Sequence, residues 1–163
     1  MALSAYMSLI GARQGPIEGS VTEEGREGTI EVFAVSHAIV APRNPSSGRP
    51  KGKRMHKPFS ITKALDRSSP FLHFVLTQSE NLSRVVVRFY RPSPSGGEKL
   101  AFVVHLHHAT ICSLQMKVLN TMNPRYANLP ALEEVAFAYQ RIEWIWIDGM
   151  ITADDDWEVA RVA

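Results

Sequence analysis

Three of four consecutive residues, His105-Leu106-His107-His108, form the densest set of metal-capable side chains in the chain. On a strand, residues two apart share a face, so His105 and His107 would present two imidazoles side by side. A site of that kind needs a third and usually a fourth ligand. The residues that follow are Ala109, Thr110, Ile111, Cys112 and Ser113, and the nearest downstream carboxylate is Glu133. These histidines are read as the edge of a strand on a solvated or subunit-facing surface, and no metal or cofactor is expected. Nucleophile and metalloprotease patterns are missing: there is no G-x-S-x-G, H-E-x-x-H or C-x-x-C. Ser47-Gly48-Arg49-Pro50-Lys51-Gly52-Lys53 has phosphate-loop residue types without the spacing, since Gly48 and Gly52 are four apart and Lys53 is followed by Arg54. The run Asp154-Asp155-Asp156 reads as a solvated acidic tail rather than a closed cation cage. Trp144 and Trp146 share a strand face, which suits core or interface; stacking on bases would call for adjacent cations. No catalytic residue emerges, and an enzyme is not expected.

What the chain does concentrate is positive charge. Between Pro42 and Lys57 lie six cations, Arg43, Arg49, Lys51, Lys53, Arg54 and Lys57, with His56 among them and no Asp or Glu. Removing those six from the eighteen basic residues leaves twelve against sixteen acidic ones, so one loop puts a positive field on a mildly acidic body. Pro42, Pro45, Pro50, Pro58, Gly48 and Gly52 exclude a helix or a central strand there. Its one large apolar side chain is Met55, so the loop cannot pack a core of its own. Coil loops longer than about 12–15 residues are uncommon in compact domains unless functional or disordered. The expected partner of Arg43–Lys57 is therefore another chain or a polyanion, with Asp154, Asp155 and Asp156 as an acidic counterpart across an interface. A small β-barrel binding nucleic acid through this loop is the alternative reading.

Around the loop the elements follow from alternation and turn residues. The 163 residues suggest a single domain over 1–163 whose core needs no disulfide. The one cysteine, Cys112, is expected to be a small core residue. No apolar run reaches about 18 residues, and the N-terminus lacks a basic region ahead of its short apolar stretch, so neither membrane insertion nor a cleaved signal peptide is expected. Strands are predicted over 5–10, 29–40, 59–65, 82–91, 99–106 and 133–147, with 109–118 continuing the 99–106 strand or forming another. Within the last, the apolar phase switches from Val135, Phe137 and Tyr139 to Ile142, Trp144 and Trp146. A period-2 pattern that changes phase implies a bulge, a bend or a change in what each face meets. One helix is predicted, capped by Asp66 or Ser68, with Pro70 in its first turn and Phe71, Leu72, Val75 and Leu76 on its inner face. The sum is a mainly β fold: a closed or split antiparallel β-barrel with one lateral α-helix and a long extended loop.

Several stretches, taken in order, resemble the haemolysin-coregulated protein (Hcp) family, whose members build the tube of bacterial type VI secretion systems. They are His37-Ala-Ile-Val-Ala-Pro42-Arg43, Ser47-Gly48-Arg49-Pro50, Arg54-Met-His56-Lys57-Pro58, Ile61-Thr62-Lys63 and Asp66-Arg-Ser-Ser-Pro70. Arg26-Glu27 and the run from Glu133-Glu134-Val135 to Ile142-Glu143-Trp144 also fit. The resemblance implies a homohexameric ring, stacked head to tail into a hollow tube. A contractile sheath would surround it, a VgrG-type spike protein would cap it, and small effector proteins would ride in the lumen. It implies a bacterial cytoplasmic protein exported without a cleaved signal. The chain ends shortly after its last strand, so no C-terminal effector domain is expected.

Overall fold

Alternating apolar side chains turn most of the chain into one antiparallel sheet. The computed structural model describes residues 3–158. In chain order the strands before the helix are β1 (Ser4–Gly11), β2 (Gly15–Ile17), β3 (Ile30–Val32), β4 (Ala34–Ser36), β5 (Ile39–Val40), β6 (Met55–His56) and β7 (Phe59–Ala64). Helix α1 (Ser69–Thr77) leads to β8 (Leu82–Pro92), β9 (Glu98–Lys117), β10 (Leu132–Trp146) and β11 (Ile151–Asp156). The sheet runs β2-β1-β8-β9-β10-β7-β4, with β3 also paired to β1 and β11 to β10. The stretch 30–36 pairs first with β1 and then with β7, and the Phe33 amide between the two donates to the Thr62 carbonyl at 2.8 Å. That one stretch joins both sides of the sheet, giving a split barrel. The strand expected over 29–40 is thus three short strands, because its partner changes twice along its length.

The barrel interior holds Met7, Leu9, Ile30, Phe59, Ile61, Val85, Val87, Leu106, Val135, Phe137 and Ile142, all buried. Leu72 and Val75 of α1 join this core; burying each is worth about 1.5–3 kcal/mol. Phe71 and Phe74, by contrast, stay 49% and 50% exposed, so the inner face of the helix is narrower than its apolar residues suggested. Ser68 is the N-cap but makes no side-chain cap bond; Asp66 Oδ1 accepts from the Ser68 amide instead. The phase switch in β10 falls at Gln140, where the ladder to β9 skips a pair opposite His108, a residue with positive φ. Residues 132–137 pair with β7 and residues 141–146 with β11, on the same edge of the strand.

Of the two readings of 109–118, continuation holds: one strand, β9, runs through His108 at φ 49°. Cys112 is exposed rather than core. A register shift pairs Ile111 with Phe137 but Ser113 with Ala136, so Cys112 is the extra residue of a bulge and is turned outward.

Arg26 fixes the loop between β2 and β3. Its guanidinium lies 3.8 Å over the Tyr90 ring and 4.6 Å from the Tyr6 ring centroid, and pairs with Glu98 at 2.8 Å. A lysine cannot reproduce a stacked, forked group. Arg26→Lys is expected to cost about 1–2 kcal/mol and to raise amide exchange across 19–29, read by hydrogen exchange.

Candidate interaction surface

The basic loop folds back on itself as an arm, with a two-residue strand pair at its base and one isolated bridge further out. Ile39 pairs with His56 and Val40 with Met55 at its base, and Arg43 bridges Pro50 further out. The Lys51 amide donates to the Pro42 carbonyl at 2.7 Å and the Asn44 amide to the Arg49 carbonyl at 2.8 Å. Asn44 Oδ1 accepts from the Ser46 amide to close the tip, where Gly48 takes φ 66°. A hairpin at the protein surface tolerates these prolines and glycines, which a central strand would not.

The arm's cations divide in two. Arg43, Arg49, Lys51, Lys53 and Lys57 are exposed, Arg43 reaching only the Gly48 carbonyl at 3.1 Å. Arg54 and His56 turn inward at the base. Arg54 grips Asp155 with two nitrogens, Nη2 donating to Oδ1 at 2.8 Å and Nε to Oδ2, and Nη2 also donates to the Asp156 carbonyl at 2.8 Å. His56 Nε2 lies 2.7 Å from the same carboxylate. The acidic run is therefore no solvated tail: β11 pairs with β10 and buries Asp155, while Asp154 pairs with Arg141 at 3.1 Å. Asp155 meets the arm within one chain, whereas the sequence expectation set the two across an interface. The signal for β11 is Asp148-Gly149, a hairpin dipeptide, with Gly149 at φ 85°.

Behind this clamp the chain of polar groups continues. Tyr139 Oη sits 2.7 Å from His56 Nδ1 and 2.6 Å from His37 Nε2. One self-consistent proton arrangement has His56 Nε2–H on Asp155, the Tyr139 hydroxyl donating to His56 Nδ1, and His37 Nε2–H donating to the Tyr139 oxygen. Burial, and then the neighbouring His56, hold the His37 imidazole below its ordinary pKa. The Arg54 guanidinium holds the Asp155 carboxyl below its ordinary value. In both cases the unfolded chain takes up a proton before the folded one, so stability falls as pH falls. The His37 contribution is present above about pH 6.5 and is lost below it; that of Asp155 is lost only below about pH 3.9. Two separate acid transitions at the arm base are expected, followed by imidazole NMR and limited proteolysis of the arm. One transition coinciding with global unfolding would contradict this.

Apolar surface accompanies the arm. Met55, Pro58, Ala138, Tyr139 and Trp157 line a cleft of about 430 Å³ at its base. Trp157, Phe33, Leu65, Phe71 and Phe74 are each 40–50% exposed, more large apolar surface than an isolated soluble chain needs. Trp144 packs on the core and Trp146 is 39% exposed.

The other motif residues converge on the root of α1. Lys63 and Glu133 are fully buried and paired at 2.7 Å. Lys63 Nζ also donates to the Ala64 carbonyl at 2.8 Å and to Ser69 Oγ at 3.1 Å. Ser69 donates to Glu133 at 2.7 Å, and Asp66 lies 3.1 Å from Lys63. This cluster ties β7, β10 and the helix together, and it has no opening for a substrate.

Comparison with known proteins agrees with this geometry. Residues 6–146 match the family described as "Type VI secretion system effector, Hcp". The "Major exported protein" of Pseudomonas aeruginosa is 36% identical, with 96% of each chain covered. A crystal structure titled "Hcp protein" superposes with a TM-score of 0.90 at 30% identity, covering 98% of this chain and all of the other. Hcp1 of E. coli EAEC 042, solved as an engineered variant, gives 0.85 at 31% identity over 96% of this chain and 99% of the other.

Proposed function

The chain belongs to the Hcp family of type VI secretion proteins, and on that premise we propose that it is a structural subunit of the inner tube. Six copies close into a ring, rings stack into a hollow tube, and small effector proteins travel in the lumen. A contractile sheath surrounds the tube, a VgrG-type spike protein caps it, and the assembly passes from the cytoplasm to the exterior without a cleaved signal. Among the described residues no helix is long and apolar enough to cross a membrane.

The observation that carries the reading is the arm itself. It is held at its base by Asp155 yet presents Arg43, Arg49, Lys51 and Lys53 to solvent. A head-to-tail ring needs two different complementary surfaces on one subunit. The arm supplies one. The apolar cleft at its root and the exposed aromatics of α1 supply material for the other. Exposed ion pairs give only about 0–1 kcal/mol each, so the arm's charges set register while apolar burial supplies the affinity.

Native mass spectrometry at low and moderate salt tests this. A dominant hexamer of the 18.2 kDa chain is expected at both. A monomer at every concentration would sink the proposal.

A further inference from the structure

We propose that His105, His107 and Glu143 form a binding site for a zinc-class divalent metal on the outward face of the sheet. Sequence spacing hid the third ligand, because it arrives across the ladder instead of along the strand. Glu143 on β10 is the direct partner of His105 on β9. The two imidazole centroids are 6.0 Å apart, and ligand atoms of all three residues lie within 4.8 Å of one another. His107 Nε2 is 3.5 Å from Glu143 Oε2, close to the separation of about 3.3 Å that tetrahedral zinc bonds of 2.0–2.1 Å impose.

A further feature of the same set points at a ligand. His107 Nε2 is buried and has no hydrogen-bond partner among the described residues. Buried polar atoms are nearly always satisfied, and a site for an ion is one recognised reason for an exception. All three side chains are partly buried, which restricts their rotamers before a metal arrives. Their neighbours Leu106 and Ile142 point into the core, so the backbone that holds the set is rigid.

The donor set, not the charge around it, selects the metal. Arg84 is paired with His107 across the β8 ladder, Arg88 lies further along β8, and Arg141 faces His107 on β10. Arg141 is 3.7 Å from Glu143 but closer to Asp154, at 3.1 Å. These guanidinium groups weigh against every divalent cation alike, but a single carboxylate further disfavours Mg²⁺ and Ca²⁺, which want several carboxylate oxygens. Two imidazoles and one carboxylate suit Zn²⁺ and its first-row neighbours. Three protein ligands leave one tetrahedral position for water or for a donor from a molecule lying on this face. The site does not depend on the ring: each chain supplies all three ligands.

The test is a titration of untagged, chelator-treated protein with Co²⁺, followed by displacement with Zn²⁺ and calorimetry. Visible d–d bands of four-coordinate cobalt and about one Zn²⁺ per chain are expected. His107→Ala and Glu143→Gln should each weaken binding by more than the about 10–100-fold that loss of an outer-shell partner causes. His108→Ala should leave it unchanged, since His108 is exposed and outside the set. Circular dichroism checks that the variants fold, and His105→Gln replaces any that does not. No saturable binding below about 1 mM, a weak limit on the affinity scale, would overturn the site. So would binding that survives these substitutions.

Discussion

Glu133→Ala lowers the unfolding free energy by about 3–5 kcal/mol, because it strands the Lys63 ammonium in the protein interior. Lys63 has no route to water: its side chain is fully buried, as is that of Glu133. Asp66 at 3.1 Å, which is itself 13% exposed, compensates only partly. Ser69 Oγ also loses its acceptor on Glu133, which loosens the first turn of α1. The expected readout is a fall in the thermal midpoint of roughly 6–20 °C, compared at equal protein concentration because assembly adds apparent stability. The reciprocal variant separates two explanations. In Lys63→Met with Glu133→Leu no charge is left buried, and most of the loss should be recovered. If the double variant were as unstable as Glu133→Ala, shape at this site would be what matters rather than the stranded charge.

How much of this was visible in the sequence depends on the range of each interaction. The alternation of Phe59, Ile61 and Lys63 is local, and it places Lys63 among inward residues; what it cannot say is that Glu133 waits there, seventy residues away. The motif stretches that resembled the family contain both residues, so the pair was present in the text without its geometry. Cys112 failed for the same reason in miniature. Its neighbours are apolar, but a bulge set by the β10 register turns it outward. The third metal-site residue was hidden because a ladder partner is thirty-eight positions from His105, while a sequence search for ligands runs along the strand. The arm was legible as a feature and misread in structure: its prolines and glycines exclude a central strand, but not a two-stranded hairpin standing clear of the core.

The clamp on that arm supports the second large effect. Asp155→Asn keeps the size and one acceptor of the side chain but removes the charge that Arg54 and His56 converge on. Charge-assisted, forked contacts are about twice as strong as neutral ones, so the arm base is expected to detach while the barrel remains folded. Trypsin then reports the change directly. Cleavage after Arg43, Lys51 and Lys53 should accelerate by about an order of magnitude, since proteolysis tracks the population of the opened form. Asp154→Asn is the matched control, as Asp154 touches Arg141 on β10 and no residue of the arm. The same variant separates arm geometry from arm charge in assembly. If a fixed arm is what the next subunit or ring receives, Asp155→Asn lowers the hexamer or stacked-ring population although all exposed cations are still present. If the population is unchanged while trypsin cleavage rises, the arm orders only after it meets its partner, and its charge rather than its preset direction governs docking.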